Sequence, residues 1–558
     1  MSAHELDLLF GDPQDAANPV GHNAVLAADE RQEMLAAGEQ LLDGFGLNAE
    51  FVPVEYGGRL NRVDRLAEIL RTVWRRDPCL GLGYGFSSFI ASVNIWSTGS
   101  EEQKRRAAEL LLANRRIAAA FHELDHGNDF AQAELAAVRT DDGWQLSGRK
   151  EVVTNLQRAD ALVLFARTSE AGGSRGHSQF FVEKDGLAFR RMRDLPRFAS
   201  SGMHGVQLGG TEFDECPVPP DAMLGLPGQG MEIALRSYQI TRATVPAIIV
   251  GPLDTALRTT LACATERRLY GGSVADIPYV RAVIARSFAD LLAVDAFSSV
   301  GVRALHLLPE AMGVYAPAAK YLTARIVLDA FDDLRSVLGA AAYLREGPYA
   351  IFQKLARDIA PATFAHVSRA ACLTTILPQL PRLARRSWLV DPSATGQLFE
   401  LGAELPPLRL ERLSAGIPRE DGLIGALAEI AEREPADGTA GRFAARFLDE
   451  LRALRDECAS LSPSDITIDA SPAAFRLADR YTVVLAAAAA LAVWDRGAGR
   501  YPDAALLGVL DRLNGRLGGA FVLTSAERQS VESALFDLAV ERYQDSKLLD
   551  LSARIIPG

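Results

Sequence analysis

The chain has 558 residues, 48% of them hydrophobic and 23% charged, the balance of an ordinary globular protein. Its 59 basic and 71 acidic side chains leave a formal charge of −12 without any basic block. That pattern excludes a nucleic-acid-binding protein, while leaving room for local arginines that hold phosphate.

The length predicts about three or four domains at ~150 residues each. The five cysteines (Cys79, Cys216, Cys263, Cys372, Cys458) are scattered, and no two stand at metal-ligand spacing. This points to a reduced, cytoplasmic setting and to no metal site. The start, MSAHELDLLF, lacks the basic opening and apolar stretch of a signal peptide. Residues 1–117 predict helices, with apolar positions at helical spacing in ADERQEMLAAGEQLLDGF and SEEQKRRAAELLLANRR. Ser100, followed by Glu102 and Gln103, is a predicted helix start, and VPVEYGG (52–58) a turn between helices. From 118 to 228 short β-rich runs take over, including ADALVLFART and HSQFFVEKDGLAF. Asp141-Asp142-Gly143 and Glu183-Lys184-Asp185-Gly186 predict hairpin turns. The linker GLPGQG (225–230) closes this β domain. Helical patterning returns over 229–375 and continues, broken by Pro-rich joints, over 376–558. The most apolar run, YTVVLAAAAALAVW (481–494), is too short for a bilayer and predicts a buried helix, so no membrane insertion is expected. The fold class is therefore mainly α with a central β domain.

Five stretches in this order resemble the acyl-CoA dehydrogenase superfamily. VPVEYGG is similar to that family's PEEYGG turn. FHELDHGND (121–129) resembles LTEPxxGSD, with Glu123, Gly127 and Asp129 matching, and His122, Leu124 and Asn128 departing. KEVVTN (150–155) resembles K-x-W-I-T-N, with Val152 in place of the Trp. FDECPVPPDAMLGLPGQG (213–230) is similar to the stretch that closes the family's middle domain, and the preceding GMHG places His204 where Arg is usual. ERRLYGG (266–272) resembles R-x-x-F-G, and SVLGAAAY (336–343) resembles QxxGGxGY with Ser336 for the Gln.

The resemblance implies a helical N-terminal domain (1–117), a middle β-barrel-like domain (118–228) and a four-helix bundle (229–375). The additional helical domain (376–558) resembles that of acyl-CoA oxidases. It implies FAD, with Phe121, His122, Asn128, Val152, Val153 and Thr154 along the flavin. Arg267, Tyr270 and Ser336 would meet the flavin of a partner subunit, hence a homodimer or homotetramer. A guanidinium fork suits a diphosphate. The implied reaction is α,β-dehydrogenation of an acyl thioester on CoA or acyl carrier protein, with a flavoprotein or dioxygen as electron acceptor.

The expected catalytic acid is missing. Aligned from Arg357-Asp358, its position holds His366, and Ser368 stands where a flavin-side Thr is usual. The second known location, the helix LRSYQITRATVP, supplies the substrate-side Arg242 but no carboxylate. Three readings follow: His366 is the base; the base lies elsewhere, with Glu346 and Asp358 the nearest acids; or the protein does not dehydrogenate. The departures point to a specialised member, in secondary metabolism. A flavin oxidase or monooxygenase using dioxygen, and a non-catalytic structural partner, are the alternatives.

Overall fold

The structure is a computed structural model that describes residues 2–170, 173–186, 191–365, 367–390, 396–413, 416, 418–435, 437–497 and 499–557. The chain folds into two compact units. The first comprises Met1–Arg62, Asp77–Thr241 and Leu408–Glu411. The second comprises Val63–Arg76, Arg242–Pro407 and Arg412–Gly558.

In the first unit, helix Glu101–Leu112 starts where expected. Gln103 N–H donates to Ser100 Oγ at 3.2 Å and Ser100 N–H to Gln103 Oε1 at 2.8 Å, a reciprocal cap for two otherwise orphaned donors. VPVEYGG forms a short 3-10 turn, Val54–Tyr56. Gly58 is forced there: a Cβ would stand 2.0 Å from the Val52 carbonyl oxygen. The sheet follows as β1 (Ile117–Ala120), β2 (Ala136–Thr140), β3 (Gly143–Thr154), β4 (Ala161–Arg167), β5 (His177–Glu183), β6 (Met192–Asp194), β7 (Leu208–Val218) and β8 (Met223–Leu224). Its order is β6-β7-β3-β2-β4-β5-β8, with β1 parallel to β4. Leu146, Val153, Leu162, Leu164, Phe180 and Phe213 build its core.

Asp141-Asp142 joins β2 to β3, pairing Thr140 with Gly143, as the turn residues predict. Residues 183–186 correct the second hairpin expectation. Lys184–Gly186 is a 3-10 turn, and the next strand, β6, pairs with β7 instead of β5. The turn folds onto residues 156–160: Lys184 N–H donates to the Asp160 carbonyl at 2.8 Å, and Lys184 Nζ to the Leu156 carbonyl at 3.0 Å. The sheet ends at GLPGQG, after which helix Gly230–Ile248 begins.

The second unit joins the bundle helices to the C-terminal extension. Helix Met312–Leu338 contains Pro317, which has no N–H for the Gly313 carbonyl; Gln379 Nε2 donates to that carbonyl at 3.0 Å. The 481–494 run lies in helix Pro472–Arg496, with Ala486–Ala490 at most 1% exposed. Helical stretches Gly230–Glu266 and Pro472–Arg496 are each apolar and long enough to cross a membrane, and 89% of each most apolar window is buried within the protein. Arg71 forms the ionic centre of this unit. It pairs with Asp295 at 2.7 Å and Asp550 at 3.0 Å, and donates to the Ala247 carbonyl at 2.8 Å. Asp295 and a third acid, Asp254, hold the C-terminal segment, with Leu551 N–H donating to Asp295 at 2.8 Å and Leu549 N–H to Asp254 at 2.6 Å.

Element type changes from helix to strand between Leu112 and Ile117, and from strand to helix between Leu224 and Gly230. Compactness follows a different division, because helix Val63–Arg76 packs with the bundle through Arg71.

Candidate functional site

In the first unit the site residues lie at the ends of two neighbouring segments. β1 delivers Phe121 and the turn that follows it. Phe121 is 3% exposed, with its ring against Phe165 (centroids 5.6 Å apart), Tyr238 (6.2 Å) and Phe130 (6.3 Å). Its side chain therefore belongs to an aromatic core, and its carbonyl accepts from Lys150 Nζ at 3.0 Å. His122 is half-buried with its ring edge-on to Phe130 at 5.1 Å. Burial, assisted by the Lys150 charge and opposed by Asn128, pushes its pKa down to about 4, so the imidazole is neutral at physiological pH. Gly127, at φ +52°, turns the chain so that Asn128 is exposed; a Cβ at Gly127 would meet nothing within 4 Å.

One buried ion pair holds this turn. Lys150 Nζ, fully buried on β3, lies 2.7 Å from Glu123. The Glu123 carboxylate also accepts from the N–H groups of Glu134 (2.7 Å) and Leu135 (3.0 Å), and His126 Nε2 lies 3.9 Å from it. Burial would raise the Glu123 carboxyl, but Lys150 and the two backbone donors bring it below its usual range. Burial lowers Lys150 to about 8 against the pull of Glu123, so both partners are charged at neutral pH. Sequence matching singled out these two residues without giving them this role.

β3 carries the second segment. Val153 faces the core at 0% exposure, so only its main chain can face a ligand there. Val152 and Thr154 alternate onto the opposite, half-exposed face. The Thr154 hydroxyl has no hydrogen-bond partner among the described residues. Asn155 fixes it in place: at φ +61° it ends the strand, its N–H donates to the Gln207 carbonyl at 2.6 Å, and its side-chain amide donates to the Gly83 carbonyl and to Ser87 Oγ (2.9 Å). Gly83 belongs to a π-helical turn, Gly81–Phe86, a type of irregularity frequent at functional sites.

In the second unit, Arg267 follows helix Val250–Glu266 and is exposed, with a guanidinium that has no partner among the described residues. Tyr270 is 97% exposed at φ +54°, at the tip of a two-strand ribbon, Arg268–Leu269 with Gly272–Ser273. Gly339, at φ +58°, lies beside Arg267: a Cβ there would be 4.0 Å from Arg267 Nη1. Ser336 is exposed and donates to the Asp333 carbonyl at 2.6 Å. The Ser368 hydroxyl accepts from Ala371 N–H at 3.2 Å as the cap of helix Arg369–Ile376, which leaves its proton for another acceptor. Arg242 is 5% exposed, beside the buried Lys320 and Cys372. His366 lies outside the described residues. Of the alternative acids, Asp358 is fully buried against Lys354 at 2.5 Å, and Glu346 is exposed.

In the first unit, a loose Thr hydroxyl at a strand end and an exposed Gly-Asn turn are donor chemistry that fits a flavin; in the second, a guanidinium without a partner among the described residues, beside an open glycine, suits a diphosphate. Comparison with known proteins agrees. Residues 118–216 match the acyl-CoA dehydrogenase middle-domain model, and residues 228–366 the C-terminal-domain model. Residues 118–216 and 228–366 are thus the middle and C-terminal domains of the acyl-CoA dehydrogenase superfamily. A probable acyl-CoA dehydrogenase of Mycobacterium tuberculosis, FadE25, is 28% identical over 324 residues, covering 57% of this chain and 80% of the relative. The glutaryl-CoA dehydrogenase of Desulfococcus multivorans is 27% identical, covering 55% and 79%. An acyl-CoA dehydrogenase from Bacillus anthracis, solved with FAD, superposes with a TM-score of 0.70 at 18% identity and covers 93% of both chains. The shared fold of this superfamily member thus takes in most of the C-terminal extension. Butyryl-CoA dehydrogenase from Megasphaera elsdenii covers 67% of this chain, with a TM-score of 0.59 and 20% identity.

Proposed function

We propose that this protein is an FAD-dependent oxidoreductase that removes hydrogen from the α and β carbons of an acyl thioester carried by CoA or an acyl carrier protein. The Thr154 segment carries the reading. A half-exposed hydroxyl with no partner among the described residues ends β3, on a backbone locked by the buried Asn155. Bound FAD supplies the hydride acceptor. Thr154 offers it a donor, Asn128 and the 126–129 main chain offer donors to phosphate oxygens, and the neutral His122 lines the turn without adding charge. Arg267 and Tyr270 serve the diphosphate of a second copy, so the active form is a homodimer or a larger assembly.

With His at 366, the family's usual acid is replaced. We assign proton abstraction to His366 and a specialised role, in secondary metabolism, to the protein. A second reading rests on Val152. A small, half-buried side chain at that place on β3 favours access by dioxygen, and fast reoxidation of the reduced protein in air would support an oxidase or monooxygenase. A flavoprotein acceptor predicts slow reoxidation.

The test is flavin retention. Full-length protein mixed with FAD and gel-filtered is expected to keep a flavin absorption spectrum, while Arg267→Ala is expected to lose most of it. A wild-type protein that emerges colourless contradicts the proposal.

A further inference from the structure

Lys320 sits midway along helix Met312–Leu338 and is 2% exposed. Its Nζ donates to two main-chain carbonyls, Ala362 at 2.6 Å and Ala365 at 3.3 Å. Both belong to the short connection between helix Ile351–Asp358 and helix Arg369–Ile376, which opens with the 3-10 turn Ala360–Thr363. Within the connection, Ala365 N–H donates to the Pro361 carbonyl at 2.7 Å and Thr363 Oγ1 to the Ala360 carbonyl at 2.8 Å.

The charged and titratable groups facing the ammonium are Arg242, from helix Gly230–Ile248, and Cys372, from helix Arg369–Ile376. No carboxylate among the described residues pairs with it. Burial brings its pKa down to about 8; Cys372 opposes that change and Arg242 assists it. A buried ammonium without a counter-ion is costly, and an apolar side chain of similar length would avoid the cost. What Lys320 supplies, and an apolar residue would not, is a pair of donors aimed at this connection.

We propose that Lys320 is a positioning residue that fixes the 360–365 connection, and with it the start of the segment bearing residues 366–368. The last step rests on the functional reading above, which puts that segment beside the thioester. The carbonyls of a non-helical connection have no regular partners. Held by one buried cation, they have a defined place; without it, the connection frays and the residues that follow lose their register against the substrate.

The test uses the full-length protein with Lys320→Met and Lys320→Arg, read by hydrogen–deuterium exchange and by anaerobic reduction with acyl-CoA thioesters. In Lys320→Met, amides of 360–370 are expected to exchange at least tenfold faster, while peptides of 117–155 keep wild-type rates. Flavin is retained, and the limiting rate of flavin reduction falls tenfold or more with a smaller change in the half-saturating thioester concentration. Lys320→Arg restores both. Unchanged protection of 360–370 in Lys320→Met overturns the proposal. Should that variant not fold, Lys320→Gln, which keeps part of the donor set, is held to the same exchange criterion with an intermediate increase expected. A wild-type protein that binds no flavin, or is never reduced, defeats the functional reading alone, because the exchange comparison still decides the role of Lys320.

Discussion

Two lysines in this chain share burial and a pKa near 8, and differ in everything around them. Lys150, in the sheet unit, faces Glu123 at 2.7 Å and one carbonyl. Lys320, in the bundle unit, faces two carbonyls, an arginine and a thiol. The first is half of a closed account of charge: its removal strands a carboxylate. The second carries a charge that folding would be better without, so its value lies in where it holds the main chain. Buried charge by itself thus says little about role, and the partner set says most of it.

The comparison breaks most visibly where an acid loses its cation. Arg71→Leu is expected to have the largest effect, because Asp295 and Asp550 are both left in the interior. The cost is expected to exceed about 4 kcal/mol, read as a large drop in apparent melting temperature or as insoluble protein. Lys150→Met should cost about 3–5 kcal/mol by the same argument, and the added change Glu123→Gln should recover much of it. Failure of the double variant to recover would mean that Lys150 acts through its Phe121 carbonyl bond instead of through charge.

Alkaline pH sharpens the contrast. Folding lowers the Lys320 pKa from 10.5 to about 8, so between these values the unfolded chain binds the extra proton. Stability from this group therefore rises as pH climbs from about 8 to 10, by at most about 3 kcal/mol, and is flat below 7. Denaturant midpoints across that range should show a rise in wild type that is smaller in Lys320→Met. At pH 7 the same variant should stay within about 2 kcal/mol of wild type, since the lost carbonyl bonds are offset by relief of a buried charge. The smallest effect on stability belongs to Arg267→Ala, within about 0.5 kcal/mol at an exposed position, though flavin retention should fall.

Local signals were legible in the sequence because their causes are local. The Ser100 cap, the Asp141-Asp142 hairpin and the glycine-bound turn at 52–58 each depend on residues within a few positions. The hairpin expected at 183–186 fails for a distant reason: Lys184 finds acceptors at 156 and 160 that no local pattern announces. Period-two alternation across Val152–Val153–Thr154 could have separated the buried Val153 from its neighbours, yet motif matching put all three along the flavin. The pairing of Glu123 with Lys150, and the reach of Lys320 across about forty residues to Ala362, depend on tertiary packing. For Lys320 the sequence signal is a charge among apolar neighbours, APAAKYLTA, whereas Glu123 in FHELDHGND and Lys150 in GRKEVV stand among other polar residues and carry no such signal.

The most direct test of the functional reading is anaerobic titration of the flavin-loaded, full-length protein with acyl-CoA and acyl-carrier-protein thioesters, followed by visible absorption. Bleaching of the oxidised flavin band with stoichiometric formation of the α,β-unsaturated thioester is expected, together with its loss in His366→Ala. A flavin that stays oxidised with every thioester tried, in a protein that holds it firmly, would contradict dehydrogenation.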